Sequence, residues 1–92
     1  MDALTALADP TRRRIVELLS QGALSSGEIA GRFALTPPAV SQHLKALRQA
    51  QLVSVRAAAQ RRIYELNRLG IEEVYAWIAG IRAFWGERPD IK

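Results

Sequence analysis

A mainly α-helical domain carrying a small two-stranded β wing is the fold class that this sequence predicts. Three observations lead to it. Helix caps recur at short intervals, at Asp9-Pro10, at Ser25 to Glu28 and at Thr36-Pro37. Apolar residues follow a helical period up to about residue 50, then alternate with period two over 52–56 and 62–66. A helical period then returns over 68–85. The element order is α-α-α-α-β-β-α.

Residues 3–8 form a short apolar piece, with Leu4 and Leu7 three apart, that cannot stand alone as a helix. Asp9 caps the next helix, and Pro10 at its first position lacks only an N–H that would go unbonded there anyway. Ile15, Leu18 and Leu19 share one face, and Gln21-Gly22 closes the helix. Ser25 and Glu28 have the spacing of a reciprocal capping box, followed by Ile29, Ala30 and Phe33 on one face. Thr36-Pro37 opens the fourth helix, about 37–50, whose buried stripe is Val40, Leu44 and Leu47. Two capped helices separated by Ala34, Leu35 and Thr36 make a tight helix–turn–helix. The alternating runs that follow, with a tip at 57–61, form the wing. Asn67 can cap the last helix, whose apolar positions Ile71, Val74, Ile78, Ile81 and Trp85 fall at intervals of three and four, the spacing of a coiled-coil seam. Gly80 weakens that helix by roughly 1 kcal/mol relative to Ala, or admits a second helix at close range.

The 92 residues are read as one domain, 1–92, with ordinary globular composition. Such a chain buries only about 60–65% of its unfolded surface. Fifteen Ala add little area each, so pairing with a second copy is expected. The absence of Cys excludes disulfides and thiolate metal sites, and a single His, His43, leaves little for a zinc enzyme. No apolar run is long enough for a membrane span or a signal peptide, so a cytoplasmic protein without membrane association is expected. No carboxylate pair, Ser/His/Asp set or Gly-rich phosphate loop has usable spacing, so no enzyme and no cofactor is expected.

Charge is uneven. Residues 29–64 hold six basic side chains and no acid, against a net charge of +4 for the whole chain. Set on a wheel at 100° per residue, the fourth helix turns Pro38, Ser41, Gln42, Lys45, Arg48 and Gln49 away from its apolar stripe. This arc is either a solvated face or a nucleic-acid surface. Gln42 suits adenine N6/N7, Lys45 suits guanine O6/N7 or a phosphate, Ser41 suits either, and Thr36 and Pro38 lie at the N-terminus, where free N–H groups attract phosphate. Gln49 and Arg48, late in the helix, fit the solvated reading better. His43, beside the apolar stripe, is packed or touches phosphate. Arg56, Arg61 and Arg62 flank the wing tip, where they either reach phosphates and the minor groove or protect a sheet edge. For Arg12–Arg14 ion pairing is the favoured reading, with phosphate contact as the alternative.

With these residues in view, the chain resembles the ArsR-type winged helix-turn-helix regulators. The resemblance rests on Leu7-Ala8-Asp9-Pro10-Thr11-Arg12 and Ile15-Val16-Glu17-Leu18-Leu19, then Glu28-Ile29-Ala30. It continues through Val40-Ser41-Gln42-His43-Leu44-Lys45-Ala46-Leu47, Ala50-Gln51-Leu52-Val53 and the strand Arg61-Arg62-Ile63-Tyr64-Glu65-Leu66, covering about residues 4–85. It implies a homodimer built from the terminal helices, about 3–8 and 68–85, with Leu4, Leu7, Ile71, Val74, Ile78, Ile81 and Trp85 at the interface. It also implies repression at a palindromic operator on double-stranded DNA, relieved by a signal, for which an unidentified small-molecule inducer is one candidate.

Two departures matter. Many members sense metal through Cys near the third helix or through His and carboxylates on the last one. Here 25–29 carry no thiol, the last helix has no His, and Glu72 and Glu73 are adjacent, so they do not face one ion together. The chain is therefore similar to the metal-independent branch, which includes autorepressors of the sporulation-delay type. The second departure is the wing tip, where Ala57-Ala58-Ala59-Gln60 replaces the usual Gly and a turn longer than two residues is expected. The competing reading is a protein-interaction module whose last helix, with Trp77 and Trp85, seats a partner.

Overall fold

The computed structural model describes residues 2–86. The chain forms α1 (Ala3–Leu7), α2 (Pro10–Leu19), β1 (Leu24–Ser25), α3 (Ser26–Phe33), α4 (Pro37–Gln49), β2 (Val53–Ala58), β3 (Arg61–Leu66) and α5 (Arg68–Gly86). The helix starts are where the caps place them. Asp9 Oδ2 accepts the Arg12 N–H at 3.0 Å. Ser25 and Glu28 close the capping box in both directions, at 3.2 and 2.8 Å. Asp2 adds a cap for α1, accepting from the backbone of Leu4 and Thr5.

The core gathers around α4. Val40, Leu44 and Leu47 meet Ile15 and Leu19 of α2, Ile29 of α3, Leu52, and Val53 and Tyr64 of the sheet. The sheet is antiparallel in the order β1-β3-β2. Its β1 was not expected: Leu24 and Ser25 pair with Tyr64 and Ile63. Two residues carry no period to detect, and Ser25 is extended because an N-cap residue has β-region dihedrals.

The wing tip corrects the expected longer turn. Ala58 pairs with Arg61, so only Ala59 and Gln60 lie between the strands. Ala59 takes φ 59°, a left-handed conformation that Gly usually supplies in such a turn. The same holds at the helix–turn–helix corner, where Ala34 caps α3 at φ 53° and ψ 36°.

Gly80 is not the glycine of close approach within the protomer, since a Cβ there would meet nothing within 4 Å. Gly70 is. A Cβ on Gly70 would lie 1.7 Å from the carbonyl oxygen of Gln51. The first turn of α5 is thereby pressed onto the α4–β2 turn, which Gln51 makes with φ 65°. The Asn67 N–H, donating to the Leu52 carbonyl at 2.9 Å, fixes the same junction.

Two stability changes are expected. Gly70→Ala forces backbone apart and costs at least about 2 kcal/mol, read as a Tm drop on the order of 10 °C at fixed protein concentration. An unchanged melting curve would contradict this packing. Ala34→Gly relieves the left-handed cap and raises stability by up to about 1 kcal/mol in the same assay; a lower Tm would argue against that corner geometry.

Candidate nucleic-acid interface

The apolar stripe fixes the rotation of α4. With Val40, Leu44 and Leu47 sealed inward, Pro38, Ser41, Gln42, Lys45, Arg48 and Gln49 stand exposed on the outer face. They form a ridge between two hollows. One, of about 490 Å³, lies toward α2 and is lined by Arg12, Gln42, His43 and Lys45 among others. The other, of about 410 Å³, lies toward β2 and is lined by Lys45, Arg48, Gln49 and Ser54 among others. Among the described residues no acidic side chain lines either hollow. At the N-terminal end of the ridge, the Thr36 hydroxyl accepts the Ala39 N–H at 3.3 Å, so its oxygen serves the cap and its O–H is left to donate outward.

His43 sits on the flank of the ridge, with 21% of its side chain exposed. Its Nδ1 is buried and has no hydrogen-bond partner. The nearest opposite charge is Asp9 Oδ2 at 3.9 Å, across the α2–α4 contact. Sequence reading could not find this neighbour, because 34 residues separate the two and neither lies in a motif with the other. The Asp9 carboxyl is held below its ordinary range, chiefly by the Arg12 N–H it accepts, with the charges of His43 and Arg12 adding and burial opposing.

The structure separates the three wing arginines. Arg56 Nε lies 3.5 Å from Glu65 Oε1. Arg61, at the foot of β3, turns back toward α3. It donates to Ser25 Oγ at 3.0 Å and pairs with Glu28 Oε1 at 3.2 Å. The Glu28 carboxyl is held low, first by the Ser25 backbone N–H and its hydroxyl, then by the charges of Arg61 and Arg32. A depressed carboxylate supports this anchor fully above the ordinary carboxylate range and releases it as pH falls through the lowered value. Arg62 is exposed on the other sheet face, since neighbouring residues of a strand point to opposite sides.

Arg12 and Arg13 do not follow the ion-pair reading. Arg12 Nε donates to the Ala6 carbonyl at 2.8 Å, and an Arg13 guanidinium N–H donates to the Leu7 carbonyl at 2.7 Å. They satisfy the end of α1, whose last carbonyls have no partner within the helix.

The residues expected at a dimer interface fall into two groups. Leu7, Ile71 and Val74 pack as half-buried neighbours against the protomer's own core, because Gly70 seats the start of α5 there. Leu4 and the second half of α5 do not: Ile78 is 50% exposed, Ile81 37% and Trp85 52%. Beside this face a hollow of about 370 Å³ is lined by Leu4, Val74 and Trp77 among others. Among the described residues no cluster of three or more His, Cys, Asp or Glu could hold a metal ion, and no helix is long and apolar enough to cross a membrane.

Comparison with known proteins places this geometry. The family model described as bacterial regulatory protein, arsR family, matches residues 9–55, from the α2 cap into β2. An HTH-type transcriptional regulator of Mycobacterium tuberculosis is 52% identical over 75% of this chain, which spans 64% of that relative's length. The transcriptional repressor SdpR of Bacillus subtilis is 37% identical over 79% of this chain and 81% of its own. The crystal structure of a possible transcriptional regulator for arsenical resistance superposes with a TM-score of 0.80 at 36% identity, covering 92% of this chain and 85% of that one. The ridge of α4, the short wing and these likenesses agree: the chain belongs to the ArsR family of bacterial regulatory proteins.

Proposed function

We propose that the protein acts as a homodimeric repressor on a pseudo-palindromic operator, in the cytoplasm, and without metal sensing. The observation that carries this reading is the acid-free ridge of α4 together with an apolar stripe on α5 that the described residues of one protomer leave exposed. Two ridges held by paired terminal helices would enter successive major grooves, about 34–36 Å apart. Ser41, Gln42 and Lys45 would meet base edges, while Thr36, Pro38, His43 and Arg62 would face backbone. Arg56 and Arg61 already hold carboxylates, so their contribution is to exchange Glu65 and Glu28 for phosphate as the duplex approaches. Metal independence is supported by the lack of Cys and by the adjacency of Glu72 and Glu73 on α5.

The exposed Trp77 and Trp85 favour one second reading, in which α5 seats a different protein. Sedimentation of the pure protein separates the two, since a stable monomer at micromolar concentration fits only the second.

Two outcomes are expected of the repressor reading. Affinity for a duplex from the gene's own promoter, followed by fluorescence anisotropy, falls on the order of a thousandfold between about 50 and about 200 mM salt. Gln42→Ala removes about 1–3 kcal/mol of discrimination at one position per half-site. Binding indifferent to salt and to sequence would end this reading. Ile78→Asp, at a side chain the protomer core does not use, leaves the thermal fold of the protomer intact. It yields monomers by sedimentation and loses operator affinity by more than about a hundredfold. Retained affinity in a monomeric variant would remove the dimer from the mechanism.

A further inference from the structure

His43 is the chain's one histidine and lies in the middle of the α4 ridge sequence. Its Nδ1 is buried and unpartnered, which is uncommon enough in a folded protein to need a cause. Asp9 Oδ2 stands 3.9 Å away, beyond hydrogen-bond range, and already accepts the Arg12 N–H at 3.0 Å. A carboxylate oxygen has room for a second donor, so a closure of about 1 Å would complete the bond. The rest of the imidazole lines the hollow toward α2, together with Arg12, Gln42 and Lys45. With Nδ1 enclosed, Nε2 is the nitrogen left to face that hollow.

We propose that this hollow seats a backbone phosphate of the bound duplex and that His43 joins it to Asp9 as an imidazolium, so that DNA binding takes up a proton. The inference rests on the DNA-binding reading above and adds to it a phosphate seat and a linked proton. A neutral imidazole has one N–H and one lone pair. If Nε2 carries the hydrogen, the Nδ1 lone pair confronts Asp9. If Nδ1 carries it, the Nε2 lone pair confronts the phosphate. Only the doubly protonated ring donates to both anions. The extra proton comes from solvent and returns there when the duplex leaves.

The charges around the ring explain why uptake accompanies binding. From α2 come Asp9 and Arg12, and from α4 itself comes Lys45. α1 contributes no ionisable side chain of its own, only the Ala6 carbonyl that holds Arg12 Nε. On α3, Glu28 is engaged with Arg61, and Arg32 lines a separate hollow with Leu18 and Gln21. In the free protein two cations and one carboxylate therefore surround the ring. A bound phosphate adds a second anion beside the ring, and imidazole is the side chain whose charge changes near neutral pH.

The test is operator affinity measured by anisotropy at fixed salt. For the unaltered protein, affinity falls about three- to tenfold between about pH 6 and about pH 8, and calorimetry in buffers of different ionisation enthalpy reports proton uptake of up to one per protomer. Asp9→Asn keeps a good helix cap and flattens the profile. His43→Gln abolishes it. A flat profile for the unaltered protein would overturn the proposal, and so would an unchanged slope in both variants. Should His43→Gln fail to fold, the single imidazole resonance of the unaltered protein decides by NMR. Its titration midpoint rises when duplex is bound, and an unmoved midpoint overturns the proposal. Failure to bind any duplex at any pH instead defeats the DNA-binding reading, and this inference falls with it.

Discussion

Burial of Val40, Leu44 and Leu47 is the constraint on which the rest depends. These three side chains fix how α4 is turned about its own axis. A helix has only one such freedom once its ends are placed, and burying a side chain of this size stabilises by about 1.5–3 kcal/mol. Three together leave no competing rotation. Every polar residue of α4 is then assigned to the outside by geometry alone, and the two hollows beside the ridge follow from where α2 and β2 meet its flanks. The outward surface of α4, proposed to meet a duplex, is thus set from within.

The helix caps do more than start helices. Asp9 caps α2 and faces His43 of α4. Ser25 and Glu28 cap α3 and together receive Arg61 from the wing, 36 residues away from Ser25. Groups that satisfy local backbone donors therefore also tie neighbouring elements together. This works because a carboxylate or hydroxyl oxygen has more than one acceptor site. The wing is thus tied to the α3 cap and α4 to the α2 cap, in addition to the core that α4 shares with Val53 and Tyr64 of the sheet.

The last helix serves two roles along its length. Its first turns are locked by Gly70 against Gln51 and contribute Ile71 and Val74 to the protomer's core. Beyond them the same three-and-four spacing continues, and among the described residues Ile78, Ile81 and Trp85 stay exposed. A seam shared in this way is a reason for a second copy to dock. It also means that substitutions along α5 separate by position, those near Gly70 acting on folding and those near Ile78 on the proposed assembly.

The sequence by itself determined the helix starts, the apolar stripe of α4, the hairpin and the family, because these depend on neighbours within a few residues or on a helical or two-residue period. It placed every ridge residue on the correct side. It did not reveal β1, the two-residue turn at Ala59, the carbonyl-capping role of Arg12 and Arg13, or the difference between Gly70 and Gly80. Nor did it reveal that His43 meets Asp9 or that Arg61 turns back to Glu28. Those were decided by tertiary structure, since each joins side chains or backbone groups from different elements. Their meeting depends on how close two elements pack, a distance that no local pattern encodes.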